Sequence, residues 1–348
     1  MKGSNAEVIS DTTESGRSTG LHSGNVKLKR KNEAAGIRAV DKPVKKKKII
    51  NKKTKDNLFG YLFISPWLLG FFGLTLGPMI FSLAASFTDY NITSKMNFIG
   101  LDNYKKMFTI DEMFMTSLWN TLYFVLFSVP ATTAGAILLA VLLNQKVRGM
   151  KFFRTIFYLP SILSGVAVYF LWMQLLSPST GMINTFLAWF GVDGPAWLFD
   201  PEWTKPSLII MKLWSVGGGM LLYLAVLQGV SKEMYEAAEL DGANIFHKFF
   251  YITLPMITPI IFFDIVTSTI GSFQIFQEAY VMTDNGSGGP ANSLLFYNLH
   301  MWNNAFEIFD MGYATAMAWF LFVIVLFLTF INLKLGKKWV YYEGGDKK

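Results

Sequence analysis

The chain has 348 residues, 52% of them hydrophobic and only 16% charged, with a formal net charge of +7. A soluble protein of this length carries about 25% charged residues, so the composition excludes an ordinary soluble domain. It has no cysteine, and its three histidines, His22, His247 and His300, lie far apart in sequence. Disulfides and thiolate metal sites are therefore excluded, and the histidine spacing argues against zinc or haem.

The basic excess is local. Residues 27–55 hold Lys42, residues 45–48, Lys52, Lys53 and Lys55; such a basic, weakly apolar segment does not bury enough surface to fold. Residues 1–57 are expected to be a disordered cytoplasmic tail rather than a nucleic-acid-binding arm. The apolar run that follows is too long for a signal peptide and has no small-residue cleavage site, so it reads as a retained anchor.

Six apolar stretches follow, at residues 59–86, 117–143, 155–176, 206–230, 253–275 and 313–333. Each approaches the roughly 20 residues needed to cross ~30 Å of hydrocarbon. The fold class is thus an all-α polytopic membrane protein with six transmembrane helices. Pro78, Pro130, Pro160, Pro255 and Pro259 lie in or beside these stretches, which membrane helices tolerate where neighbours satisfy the freed carbonyls. Basic residues set the direction. With the N-terminus in the cytoplasm, the tail, 144–154, 231–252 and 334–348 hold 15, 4, 2 and 5 basic residues, 26 of the 31. The segments between are acidic, with Asp89, Asp111, Asp200, Glu278 and Asp310 among others. Both termini are therefore expected inside. In the outer segment 177–205, Ile183, Phe186, Leu187 and Phe190 suit a short interfacial helix. Trp172, Trp189, Trp197 and Trp203 have the placing of an aromatic belt.

The segment between the fourth and fifth spans is the most informative. It reads Glu236-Ala237-Ala238-Glu239-Leu240-Asp241-Gly242, then nine residues, then Ile252-Thr253-Leu254-Pro255. Ser231 can cap a helix, and Glu233 and Glu236 favour its positive end. Gly242 can take the left-handed conformation that stops it. A second helix, with Phe246, Phe249, Phe250 and Tyr251, then runs to Pro255. The expected object is a helix-turn-helix knuckle on the cytoplasmic side.

This spacing resembles the signature of the membrane (permease) subunits of binding-protein-dependent ATP-binding-cassette importers. The resemblance covers residues 58–335, with 336–348 a cytoplasmic tail. It implies that the loop 231–255 is the coupling element, with Glu236, Ala237, Ala238, Asp241, Gly242, Ile252, Leu254 and Pro255 seated on an ATPase subunit. Phe153-Arg154, Tyr158-Leu159-Pro160, Trp172, residues 181–184, Thr283 and Gly288-Gly289-Pro290 are similar to the maltose, lactose and glycerol-phosphate branch, first-permease type. The chain departs from the maltose-type pattern in lacking its extra N-terminal spans and large periplasmic insertion. The implied partners are a second permease in a heterodimer, two ATPase subunits that hydrolyse ATP with Mg, an extracellular solute-binding protein, a carbohydrate cargo and membrane lipid. The implied location is a bacterial inner (plasma) membrane.

Alignment to that branch places a substrate path near Ser161, Gly165, Lys212, Ser215, Val216, Gly219, Ser272 and Ile275. A lysine within a span is costly, about 2.5–3.5 kcal/mol on insertion scales. Lys212 has two readings: snorkelling to the headgroups, or pairing with a carboxylate or phosphate on the sugar, which would make the cargo an acidic oligosaccharide. Gly217, Gly218 and Gly219 leave room for a ligand or another backbone. Asp264 faces either a subunit interface or a polar cavity. A self-contained secondary sugar transporter is the alternative, but no internal repeat or relay of intramembrane acids is visible. No nucleophile–base pair, paired carboxylates or phosphate-binding Gly-rich loop occurs in the spans. The chain is expected to bind no cofactor or metal and not to be an enzyme.

Overall fold

A computed structural model describes residues 52–341 apart from Ser94 and Lys146. Of the expected disordered tail 1–57, residues 1–51 lie outside the described residues, as do the last seven residues of the expected C-terminal tail, whereas residues 52–57 are helical, because the helix of the first apolar stretch begins upstream of it. The chain divides into two units, one ending at Ser65 and one beginning at Pro66. Of the first unit, residues 52–65 are described, and they form the opening of helix α1 (Lys52–Gly70).

In the second unit, a π-helical stretch Phe71–Leu76 leads into α2 (Gly77–Ala85). Pro78 cannot donate to the turn before it, so a widened turn satisfies the backbone there. Helix α3 (Asp102–Thr109) is followed by the long α4 (Glu112–Leu143). Asp111 begins α4 by accepting from the backbone N–H groups of Met113 at 3.0 Å and Phe114 at 3.1 Å, an acidic N-cap that also suits the helix dipole.

The span expected over 155–176 is not one helix. It comprises α5 (Met150–Tyr158), a tight turn Leu159–Ile162 and α6 (Gly165–Leu175), bent by 100°. Pro160 supplies no N–H, and the Ser161 hydroxyl donates to the Tyr158 carbonyl at 2.7 Å, so a side chain satisfies that carbonyl where the helix is interrupted. Helix α7 (Met182–Ala188) supplies the short helix expected in 177–205. Trp189 there is 77% exposed, but Trp172 and Trp197 are buried core residues rather than belt residues.

The expected fourth span is also bent, by 45°, between α8 (Pro201–Trp214) and α9 (Gly217–Leu227). A Cβ on Gly217 would stand 2.1 Å from the Phe157 carbonyl oxygen. The opening of α9 therefore lies directly on the backbone at the end of α5, and here glycine admits another backbone rather than a ligand. The chain continues through α10 (Lys232–Leu240), α11 (Ile245–Lys248), a π-turn Phe249–Thr253, and α12 (Leu254–Phe273). After α13 (Gln277–Met282) and α14 (Tyr297–Phe306) comes α15 (Met311–Trp339), which extends past the expected end of its span. No strand occurs among the described residues, only isolated bridges at Thr88–Phe98 and Asn91–Asp310.

Four helical segments are long and apolar enough to cross a membrane, and the two bent pairs bring the number to six if each is one span. Helix α4 is central, packing on α8, α9, α12 and α14. Lipid is as apolar as a leucine side chain, so association in a bilayer relies on close van der Waals fit and small residues. Ala136 and Ala140 of α4 are buried against α9, and a Cβ on Gly219 would meet the Ala136 Cβ at 3.2 Å. A second cluster joins Phe114, Tyr297, Tyr313 and Met317. Outward, Phe63, Leu74, Val323 and Phe330 are exposed, as expected for surfaces that meet lipid.

Candidate functional site

Two adjoining cavities lie between α4, α8, α9, α12 and α13, with volumes of about 300 and 260 Å³. They share Thr132, Lys212 and Ser268 and together form an open chamber with polar side chains in its walls. Ser215, Val216 and Gly219 line one cavity, while Ser272 and Ile275 line the other. Ser161 and Gly165 lie outside both linings, at the 100° bend.

Lys212 is paired within the chain. Its ammonium lies 2.5 Å from a carboxylate oxygen of Glu278, whose side chain is only 9% exposed. Because α12 ends at Phe273 and the chain turns before α13, Glu278 is brought over the chamber from a segment that reads in sequence as an outer loop. The pair ties α8 to α13, and each charge offsets the desolvation of the other. Only the combination of an intramembrane cation with an acid just past a span end could have pointed to this partner.

Asp264 lines the chamber beside Lys212. Its carboxylate accepts from the Thr133 hydroxyl at 2.7 Å, the Tyr223 hydroxyl at 2.7 Å and the Ser268 hydroxyl at 3.1 Å. Three hydroxyl donors solvate the group within the protein and link α4, α9 and α12. Asp264 thus lies on a polar cavity of this chain, one of the two readings open in the sequence. Ser128 adds a buried hydroxyl to the wall with no protein partner among the described residues.

One end of the bundle carries the helix-turn-helix knuckle. Helix α10 stops at Leu240, and Gly242 has φ +80° with open space around it. The Ala243 N–H closes the turn onto the Ala238 carbonyl at 2.8 Å. Ser231 occupies the N-cap but its side chain makes no cap bond to the backbone. Instead Glu233 is held below its ordinary range by its own backbone N–H and by the Ser231 hydroxyl. Asn244 caps α11 through the His247 N–H at 2.8 Å. Leu240 is 90% exposed, and Ile245 and Phe246 are also exposed, an apolar crest unusual on a surface with no partner. Glu236, Ala237, Ala238 and Asp241 lie on α10 or at its end, whereas Ile252, Leu254 and Pro255 form the base where the chain re-enters the bundle. Tyr235 and Thr253 join the two parts through their hydroxyls at 2.9 Å.

At the opposite end of the bundle, Asp111 joins three helices. Besides capping α4 it accepts from His300 Nε2 at 2.7 Å and from the Tyr313 hydroxyl at 2.5 Å. Burial works to raise its pKa, but these bonds and the histidine's charge lower it to about 2. Lys106 pairs with Asp310 at 2.6 Å and stands over the Tyr313 ring. The Gly288-Gly289-Pro290 turn is anchored nearby, where the Asn120 amide donates to the Asn292 and Leu295 carbonyls at 2.8 and 3.1 Å. No group of three or more metal-ligating side chains occurs among the described residues.

This bundle, with its polar interior and terminal knuckle, has the architecture of a membrane permease. Residues 117–340 match the family described as the binding-protein-dependent transport system inner membrane component, and the chain belongs to that family. It is 44% identical over 295 residues to the probable ABC transporter permease protein YesP of Bacillus subtilis, covering 84% of this chain and 95% of the relative. It is 36% identical to the lactose transport system permease protein LacF of Rhizobium radiobacter, covering 78% and 92%. Among solved structures it is similar to a chain of a bacterial alginate ABC transporter in complex with an alginate pentasaccharide-bound periplasmic protein. That likeness has a TM-score of 0.74 at 27% identity and covers 82% of this chain and 96% of the other. The protein is thus a multi-pass inner-membrane permease subunit of an ABC transporter.

Proposed function

We propose that this chain, with a second permease, forms the path by which an ATP-driven importer takes up an oligosaccharide delivered by an extracellular binding protein. The exposed knuckle, Glu236 to Pro255, in a chain of this family carries the reading. Its crest of Leu240, Ile245 and Phe246 suits the cleft of an ATPase subunit, and Gly242 keeps the turn tight enough to enter one. Both termini lie in the cytoplasm on this reading, with the knuckle on the same side. ATP and Mg are used by two ATPase subunits rather than by this chain. Closing of those subunits pushes the knuckles and exchanges the chamber between outward- and inward-facing forms. The hydroxyl-rich walls, with Ser128, Thr132, Ser215, Ser268 and Ser272, suit a cargo that presents many hydroxyl groups. The lactose and arabinooligosaccharide permeases among its relatives support a sugar. Copurification on a tagged copy of this chain tests the assembly. A second permease, an ATPase and a sugar-binding protein are expected, and recovery of this chain alone with full uptake activity would favour the secondary-transporter alternative.

A second reading, that the sugar is acidic, is favoured by Lys212 in the chamber and by the alginate transporters among the structural relatives. Lys212 already holds Glu278, so a sugar carboxylate would reach it by exchanging with that side chain. Such a charge-assisted bond gains strength where water is partly excluded.

A further inference from the structure

We infer that a second cavity, beside the knuckle, is a binding site for a phosphate-bearing anion that ties the knuckle to the bundle. It has a volume of about 730 Å³ and lies where α4 and α9 finish and α5 and α10 begin. Lys151, Arg154 and Lys232 line it, Asn144, Gln145, Gln228 and Tyr235 add polar groups, and no carboxylate belongs to the lining. Among the described residues none of the three cations is paired with a carboxylate.

The placement of charge asks for an anion. Helix α5 has no acidic residue in its first turn and no side-chain cap, yet Lys151 sits in that turn. A cation at the positive end of a helix dipole is unfavourable until an anion offsets it. Lys232 is the first residue of α10, whose first turn carries Glu233, so the uncompensated helix start is that of α5. Arg154 is held in place by donating to the Leu143 carbonyl from Nε at 3.2 Å and Nη2 at 2.8 Å. Its remaining N–H groups form a preset fork of the kind that phosphate oxygens accept. Lys151 and Arg154 come from α5 and Lys232 from α10, so one anion held by all three would link the knuckle to the bundle.

The ligand chemistry is a phosphate ester, supplied by a lipid headgroup or a soluble phosphorylated molecule. The surroundings suit a lipid: Phe152, Phe153 and Ile156 of α5 are exposed beside the cavity, and basic pockets between helices on the cytoplasmic side hold anionic headgroups. The side of the membrane rests on the topology proposed above; the cavity itself does not.

The test uses the assembled transporter in neutral detergent, titrated calorimetrically with dihexanoyl phosphatidylglycerol, dihexanoyl phosphatidylcholine or inorganic phosphate. Phosphatidylglycerol is expected to bind and phosphatidylcholine not to. Lys151→Gln and Lys232→Gln should each weaken binding about fivefold, and Lys232→Arg should restore most of it. Inorganic phosphate that binds as tightly, with the same lysine dependence, supports the site and makes its source soluble. The proposal is overturned if neither anion binds or if affinity ignores both lysines. It is also overturned if Lys232→Gln sheds the ATPase subunit while anion affinity is unchanged, because the cations then form a subunit contact. Sugar uptake by the parent transporter, measured separately, judges the permease reading, so the two can fail independently.

Discussion

Glu278 shows how a side chain's role depends on where the chain turns. Its partner Lys212 stood out in sequence because an intramembrane cation demands an explanation. Glu278 did not, because an acid past a span end is ordinary. Replacing Glu278 with Gln removes the partner of a Lys212 that is 41% exposed. The loss of stability should be about 1–2 kcal/mol, less than for a fully buried pair, read as a lowered Tm of the purified transporter. Lys212→Met should reduce uptake of charged oligosaccharides selectively, while Lys212→Arg retains part of it. Equal transport of the native cargo by Lys212→Met would sink the acidic-sugar reading. Asp111 gives a pH dependence of known sign. Its folded-state pKa of about 2 lies below the ordinary carboxylate value of 3.8, so the folded state favours the ionised form. Its contribution is complete above about pH 4 and is lost as pH falls toward 2. Asp111→Asn should flatten that acid limb of a Tm-against-pH curve, and an unchanged limb would assign it to other carboxylates.

Among the elements, the bent pairs carry the clearest mechanical consequences. The run α8–α9 turns at Ser215 and Val216, which places Lys212 and Gly219 on the same cavity. Gly217 fixes that bend because its neighbour is the Phe157 carbonyl. Gly217→Val should force the helices apart at a cost of about 3 kcal/mol, with lower recovery of folded protein from membranes. Normal recovery and Tm would show that this contact is not tight. In the knuckle, Gly242→Pro is incompatible with φ +80°, since proline requires a negative φ. Transport and substrate-stimulated ATPase activity should fall together while membrane insertion persists. A variant that still assembles and takes up sugar normally would remove this loop from the coupling role.

At the scale of the whole molecule, the distribution of basic residues makes the orientation testable in a chain without cysteine. Cysteines at Lys105 and Ser179, both exposed, should react with an impermeant thiol reagent added outside spheroplasts. Cysteines at Arg148 and Leu240, at the knuckle end, should react only after lysis. Outside labelling at Leu240 would reverse the topology and, with it, the assignment of the knuckle to the ATPase side.

The sequence by itself determined the membrane class, the approximate spans and the knuckle, because run length, charge and local turn chemistry are properties of neighbouring residues. Gly242 is the clearest case: its place after an alanine-rich helix and its left-handed φ belong to one local stop signal. The breaks near Leu163 and Ser215 were less legible, since proline and glycine are tolerated in straight membrane helices as well as bent ones. Only the tertiary structure decided that Lys212 meets Glu278 across 66 residues, that Asp264 faces three hydroxyls, and that Asp111 meets His300 across 189. Pairings of this kind depend on how helices separated along the chain pack side by side, and the apolar periodicity of a membrane helix leaves its inward-facing side nearly unmarked, because the lipid-facing side is equally apolar.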